Sequence, residues 1–345
     1  MTPVSIRRLL PALALVVAAL ASAPAAYAGP YNTFVVFGDS LSDNGNNAAA
    51  GLFDPFQTIT GNTYVPSNTY APAGTYSNGL VWASDFAAMI GLPLAPSLAG
   101  GTDFAFGGAT TGTPGPGTGG FPFSLLVQSS QYLMATGNVA SPNGLYVIAG
   151  GGNDARAALT AIGGGASIPG TILATATSFA ANVGSIVDAL QAAGAQHIIV
   201  WDTPNLGLAP AVMAGPPGTA ALGTNLALSM NAALAARLAG EAGVTTFDIF
   251  GLGTQFAANP ALFGFSNVTD ACGAVAGADC SQYAYWDGIH PTAATHRVIA
   301  DAFLAVAVPE PETWVLLAGG LAALGAISRR RAKAGARPDA ARADR

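Results

Sequence analysis

Lysine is missing from the whole central part of this 345-residue chain. From residue 31 to residue 307 the only fixed cations are Arg156, Arg237 and Arg297, against fourteen carboxylates, a balance near −11. Nucleic-acid binding rests on neutralising phosphates with Lys and Arg, so this body is a poor candidate for it. Charged residues make up only 9% of the sequence. Asn, Thr, Ser, Gln and the backbone must therefore solvate most of the surface, which suits a secreted protein. Cysteine is nearly absent. Cys272 and Cys280, eight positions apart, are the only two. No histidine stands at ligand spacing from them, which argues against a metal site. In an oxidising compartment they predict a local disulfide worth roughly 2.5 kcal/mol on the chain-entropy estimate. Two free buried thiols are the alternative. Histidine is scarce as well, limited to His197, His290 and His296. Residues 31–307 show neither an internal repeat nor a break in composition, so they read as one domain with ample core.

Nine of the twelve Lys and Arg residues lie at the two ends. At the start, Arg7-Arg8 precede an apolar run from Leu9 to Leu20 and small residues ending Ala26-Tyr27-Ala28. A basic start, a short apolar segment and an A-x-A site make residues 1–28 a secretory signal peptide, cut after Ala28 by signal peptidase. A membrane anchor is disfavoured, because the run is short of the roughly 20 residues a span requires. At the other end, Val308-Pro309-Glu310-Pro311-Glu312 precedes an apolar run from Thr313 to Ile327 and then Arg329-Arg330-Arg331. Arginines closing an apolar segment stay on the cytoplasmic side and leave the body outside. The order of Pro-Glu-Pro, span and arginines in residues 308–345 resembles the PEP-CTERM sorting signal of bacteria that export proteins alongside exopolysaccharide. The resemblance implies an exosortase-type enzyme that recognises the Pro-Glu-Pro and removes the tail. The body is then exported to the cell envelope or beyond, transiently anchored to the inner membrane through its C-terminal segment. A plain C-terminal membrane anchor is the alternative, and it too places the body outside the cytoplasm.

Thr33 to Phe37 are all β-branched or aromatic and predict a buried strand. Leu145–Ala149, His197–Trp201 and Val244–Phe250 predict three more, and Asp103–Phe106 a short one. Helical periodicity predicts helices over Ser77–Pro93, Ser124–Ala135, Thr171–Ala193 and Thr219–Gly240, and from Pro291-Thr292 to about Val306. Apolar strands alternating with helices imply an α/β fold with a mostly parallel sheet covered on both faces. Two stretches show no such pattern. Ala48–Ser77 carries Phe53, Phe56, Tyr64, Tyr70 and Tyr76, and so is expected to pack as a wall of a substrate cleft. Thr111–Pro122 is too rich in Gly and Pro for a regular element.

The first strand breaks at Gly38-Asp39-Ser40. That turn presents one hydroxyl at the carboxyl end of the strand, where ligands bind in open α/β sheets. Ser40 is a candidate nucleophile provided that a base and oxyanion donors converge on it. A plain Gly-Asp-Ser turn is the alternative. His197 opens a core strand and His296 lies inside the last helix, so both read as structural. His290 directly precedes that helix, with Asp287 three residues upstream, a spacing that lets a carboxylate orient the imidazole. A surface histidine in an ordinary turn is the alternative. Gly108 and Asn153 each follow a predicted strand. The first offers a backbone N–H open to close approach and the second a side-chain amide, the donors an oxyanion requires. Taken singly, each reads as a turn or a helix cap. Four strand-end features in this order support one another.

The segments FGDSLSDNGN, DFAFGGATT, GGND and DGIHPT resemble, in order, the blocks of the GDSL or SGNH family of serine hydrolases. SNGLVWASDFAAMIGLP resembles the helix after the first block in plant-type GDSL esterases and bacterial autotransporter-type esterases. Together they span Phe34 to Thr292. The resemblance implies a three-layer α/β/α, flavodoxin-like SGNH fold over residues 29–307. It also implies Ser40 as nucleophile, Asp287 and His290 as its triad partners, and an oxyanion hole of the Ser40 and Gly108 N–H groups with the Asn153 amide. The chemistry implied is ester hydrolysis without metal or organic cofactor. There are two departures: Asp103 stands where the second block begins with Asn, and Leu80 where the helix motif carries Arg. Neither touches the chemistry, and both bear on substrate placement. The substrate is a lipid or short-chain carboxylic ester, or an O-acetyl group on exported polysaccharide. Outside enzymes, the reading is a catalytically inactive extracellular matrix protein on the same fold.

Overall fold

The structure is a computed structural model that describes residues 31–63 and 68–308, with Leu324. The expected signal peptide lies outside the described residues, as does the tail beyond Val308 apart from Leu324. Among the described residues, those up to Phe303 form one compact unit.

Four strands, β1 (Thr33–Gly38), β2 (Gly144–Ala149), β3 (His197–Trp201) and β4 (Val244–Phe247), form one sheet in that spatial order. Every pairing is parallel. Thr33 to Gly38 run beside Gly144 to Ala149, Leu145 to Ile148 beside His197 to Val200, and Ile198 to Trp201 beside Val244 to Phe247. The segment Asp103–Phe106 flanks the outer side of β1. Its Phe104 N–H donates to the Val36 carbonyl at 2.8 Å and its Phe106 N–H to the Gly38 carbonyl at 3.2 Å. Only Asp103 there forms a bridge in the sheet, so the expected short strand is a ragged edge. With that segment counted, the spatial order in chain numbering is 2-1-3-4-5, the flavodoxin-like order. Its switch point lies between the first and third strands, where a crevice opens outside the carboxyl ends. The turns leaving those two strands carry Ser40 and Asn153.

Alternation along the strands sends side chains to two separate cores. Val35, Phe37, Tyr146, Ile148, Ile198 and Val200 face a core shared with helices α2 (Leu125–Ala135), α4 (Ile168–Ala192) and α5 (Thr219–Leu238). Phe34 faces the other way, edge-on to Trp82 and Phe86 of α1 (Trp82–Ile90). Trp201 joins the same cluster, with ring centroids 4.5 Å from Trp82 and 6.1 Å from Phe303 of α7 (Ala293–Ala307). The result is three layers, α/β/α. By length and composition α4 is apolar enough to cross a membrane. Its Phe179, Val183, Ile186, Val187 and Leu190 are buried in the first core, so here it serves as a core helix.

Three expectations are shifted. The helix expected from Ser77 begins at Trp82, because Ser77 Oγ donates to the Pro291 carbonyl at 2.8 Å and Asn78 Oδ1 accepts from Ala293 N–H at 2.8 Å. Those bonds hold the stretch against the start of α7 and keep it out of the helical ladder. The strand expected over Val244–Phe250 stops at Phe247, where Asp248 caps a helix, α6 (Ile249–Ala258), through the Gly251 N–H. Gly152-Asn153-Asp154, expected only to follow a strand, opens helix α3 (Gly152–Gly163).

Candidate active site

β1 delivers Ser40 into a turn whose backbone is almost fully committed. The buried Gln128 amide clamps Gly38 on both sides, accepting its N–H and donating to its carbonyl at 2.8 Å each. The carboxylate of Asp43 accepts four backbone N–H groups, from Gly45, Asn46, Asn47 and Gly107, at 2.6–3.2 Å. Asp39 accepts the Leu41 N–H at 3.0 Å. Burial pushes both carboxyl groups up to about 6. Asp103, the departure from the family pattern, accepts the Asn44 and Ala105 N–H groups at 3.1 and 2.9 Å. Burial raises its pKa well above the usual carboxylate range, and the Asp43 charge adds to that. It ties the nucleophile turn to the sheet edge and lines neither cavity described below. Leu80, the other departure, is exposed.

The opposite side is the turn Asp287–His290. His290 Nε2 lies 2.9 Å from Ser40 Oγ, and His290 Nδ1 lies 2.6 Å from Asp287 Oδ2. Asp287 Oδ1 accepts the N–H groups of Ile289 and His290 at 2.8 and 2.7 Å, which explains the three-residue spacing. Asp287 and His290 are 0% and 2% exposed and Ser40 is 7% exposed, so the line of contacts is nearly dry. Two tyrosines that the sequence places in a cleft wall rather than at the triad complete it. Tyr70 donates its hydroxyl to Asp287 Oδ2 at 2.9 Å, and the Tyr76 ring lies against the His290 ring with centroids 5.2 Å apart. Both come from the patternless stretch expected to wall the cleft. Among the described residues, none from that stretch lines the cavity at Ser40; its buried tyrosines brace the triad from behind. Their aromatic character in a loop was the available signal, but sequence alone could not show which partners they meet. His296 is buried and accepts the Trp82 N–H at 3.2 Å. Burial lowers its pKa to about 3, so it stays neutral. His197 is exposed at the far end of β3, edge-on to Tyr31. Cys272 and Cys280 form a disulfide shortly before this turn, and the Gly273 N–H donates to the Trp286 carbonyl at 2.9 Å.

The third side holds donors. Gly108 has φ +84°, a conformation that favours glycine. At its neighbour Gly107, a Cβ would collide with the Tyr76 ring. Among the described residues, neither the Ser40 nor the Gly108 N–H donates to a protein acceptor. Asn153 donates one amide hydrogen to the Ala109 carbonyl at 2.8 Å, and its Oδ1 accepts from Arg156 at 3.0 Å. The amide is thereby fixed with its second hydrogen still to be placed. Arg156 was not foreseen; its position one helical turn after Asn153 was the signal. The first turn of α3 adds positive potential here. Thr111 binds Asp154 through both N–H and hydroxyl, at 3.0 and 2.7 Å, pinning the glycine-rich loop to the same turn. The cavity at the centre is lined by Asp39, Ser40, Gly152, Asn153, Arg156 and His290 among others. Of the five expected site residues, Ser40, Asn153 and His290 line this cavity at the switch point, and Asp287 stands behind His290; Gly108, next to the Ala109 carbonyl that accepts from Asn153, is not among its lining residues. A hydroxyl, an imidazole and a carboxylate in line, with amide donors opposite, can carry out acyl transfer.

The family model described as GDSL-like Lipase/Acylhydrolase matches residues 34–303, from β1 to α7. The chain belongs to the GDSL-like lipase/acylhydrolase family. A second model, the PEP-CTERM protein-sorting motif, matches residues 307–331, so this GDSL domain is followed by a sorting signal. Among curated proteins, the chain is similar to Esterase EstA of Pseudomonas aeruginosa, 31% identical over 348 residues covering 84% of this chain and 48% of that protein. It is also similar to Lipase 1 of Photorhabdus luminescens, 34% identical over 202 residues, 58% of this chain and 26% of that protein. The chain thus spans about half the length, or less, of these relatives. Among solved structures, the phospholipase A1 of Streptomyces albidoflavus NA297 aligns with TM-score 0.41 and 16% identity, over 81% of this chain and 99% of that one.

Proposed function

We propose that the GDSL domain is an exported serine esterase that hydrolyses carboxylic esters through an acyl-enzyme. The observation that carries this reading is the unbroken line Asp287–His290–Ser40, with contacts of 2.6 and 2.9 Å. In this reading His290 Nε2 takes the Ser40 proton as Oγ attacks the ester carbonyl, and then returns it to the departing alkoxide. Asp287 accepts Nδ1–H and so fixes the tautomer that leaves Nε2 free as the base. The N–H groups of Ser40 and Gly108, with the Asn153 amide, hold the negative charge that develops on the carbonyl oxygen. Water, activated by His290 in its turn, cleaves the acyl-enzyme. Signal peptidase removes residues 1–28, and an exosortase-type enzyme processes the segment after Val308. The domains are then 29–307 for the hydrolase and 308–345 for sorting.

The test is hydrolysis of p-nitrophenyl esters by the full-length protein beside Ser40→Ala. The variant is expected to lose at least about 10³-fold in kcat. Activity within tenfold of the parent excludes Ser40 as nucleophile. A folded parent that cleaves none of these esters favours an O-acetyl group on exported polysaccharide as the substrate, or the inactive matrix protein.

A further inference from the structure

An apolar cleft outside the triad has no part in the chemistry above. Leu206, Ile249, Phe256 and Ile299 line it, and so do Leu41 and Ile289, the immediate chain neighbours of Ser40 and His290. No charged side chain borders it. Leu41, Pro204, Leu206 and Ile289 also line the cavity at Ser40, so the two spaces share a wall. One face of α6 borders the cleft. Ile249, Gly253 and Phe256 lie on one face of that helix, at i, i+4 and i+7. Ile249 and Phe256 are buried, and both line the cleft together with Gly253. A Cβ built on Gly253 meets nothing within 4 Å. Protein interiors are otherwise close-packed, and a helical glycine is less favourable than almost any other residue. Empty apolar space beside a reactive serine is where a hydrocarbon gains from leaving water.

We propose that this cleft binds the acyl chain of the ester, that the preferred acyl group is well beyond acetyl, and that Gly253 keeps the cleft open. This rests on the esterase reading. The carbonyl oxygen must point at Gly108 and Asn153, and the leaving oxygen must lie at His290 Nε2 to be protonated. The remaining substituent of the carbonyl carbon is the acyl chain, and the shared apolar wall leads it into the cleft. Each methylene buried there is expected to raise kcat/KM about two- to fourfold until the cleft is filled.

The experiment compares the full-length parent with Gly253→Phe on p-nitrophenyl acetate and octanoate and on octyl acetate, with Gly253→Ala as the small control. The parent is expected to prefer octanoate to acetate. The octanoate-to-acetate ratio of kcat/KM is expected to fall at least tenfold in Gly253→Phe and less than threefold in Gly253→Ala. A ratio within twofold of the parent in Gly253→Phe overturns the proposal. So does a loss confined to octyl acetate, which assigns the cleft to the alcohol. Titration of octanoate into Ser40→Ala, with and without Gly253→Phe, separates the two readings, because it needs no catalysis. Octanoate binding that Gly253→Phe abolishes supports the cleft even if no ester is cleaved. Cleavage of acetate without chain-length preference or octanoate binding leaves the esterase standing and overturns the cleft.

Discussion

Ser40 and His290 meet across 2.9 Å, yet their two turns are held by different means. The turn of Ser40 is fastened by hydrogen bonds throughout, some from its own neighbours, Asp39 to Leu41 and Asp43 to Gly45, Asn46 and Asn47, and some from a distance, Gln128 to Gly38, Asp103 to Asn44 and Asp43 to Gly107. The turn of His290 has its local bonds to Asp287 Oδ1, but its side chains are braced by Tyr70 and Tyr76, with Tyr70 217 positions from Asp287. The comparison separates two jobs. Hydrogen bonds shape each turn, and packing from a distance sets where the imidazole points. The local share of the first job shows in sequence as Asp, Asn and Gly at short spacings. The second shows as nothing more than aromatic residues in a long loop.

The sharpest way to break this comparison after Ser40→Ala is Asp43→Ala. It strands four N–H groups that the carboxylate now accepts, three of them in buried bonds. Even with water relieving some of them, a loss of about 4 kcal/mol is expected in urea unfolding. A loss below about 1 kcal/mol means the nucleophile turn does not depend on this network. The paired change Cys272→Ser with Cys280→Ser opens the loop ahead of Asp287 and is expected to cost about 2.5 kcal/mol by thermal unfolding. Because Tyr70 and Tyr76 still brace the triad, kcat well below the melting range should stay within about threefold. Tyr70→Phe sharpens the contrast from the other side. It removes one hydrogen bond to Asp287 Oδ2 and keeps the ring beside Trp286. About a tenfold fall in kcat with KM within twofold is expected, the size of one such hydrogen bond; an unchanged kcat removes Tyr70 from the account.

The smallest effect concerns pH. Asp39 and Asp43 are raised by burial to about 6, whereas the unfolded chain titrates near 3.9. Between those values the folded protein holds more protons than the unfolded chain. Their contribution is therefore full below about pH 4 and is lost as pH rises through about 6. Melting temperature is expected to be a few degrees higher at pH 5 than at pH 7.5, read by calorimetry. A rise toward neutral pH contradicts the burial of these carboxyl groups.

The chain's covalent order determined the parallel α/β sheet, because apolar strands alternating with helices have few other ways to bury both faces. It also determined where Ser40, Gly108, Asn153, Asp287 and His290 stand along the chain, since each sits at a strand or helix end marked by a break in pattern. Tertiary structure alone decided that Tyr70 meets Asp287, that Tyr76 backs His290, and that Asp103 turns into the nucleophile network. It alone decided that α6 starts at Ile249 and sets Gly253 against an apolar cleft. The physical reason is range. Propensity, capping and turn chemistry act over a few residues and leave local marks. Contacts between residues two hundred positions apart are fixed only when the layers pack and bring the strand ends to one rim.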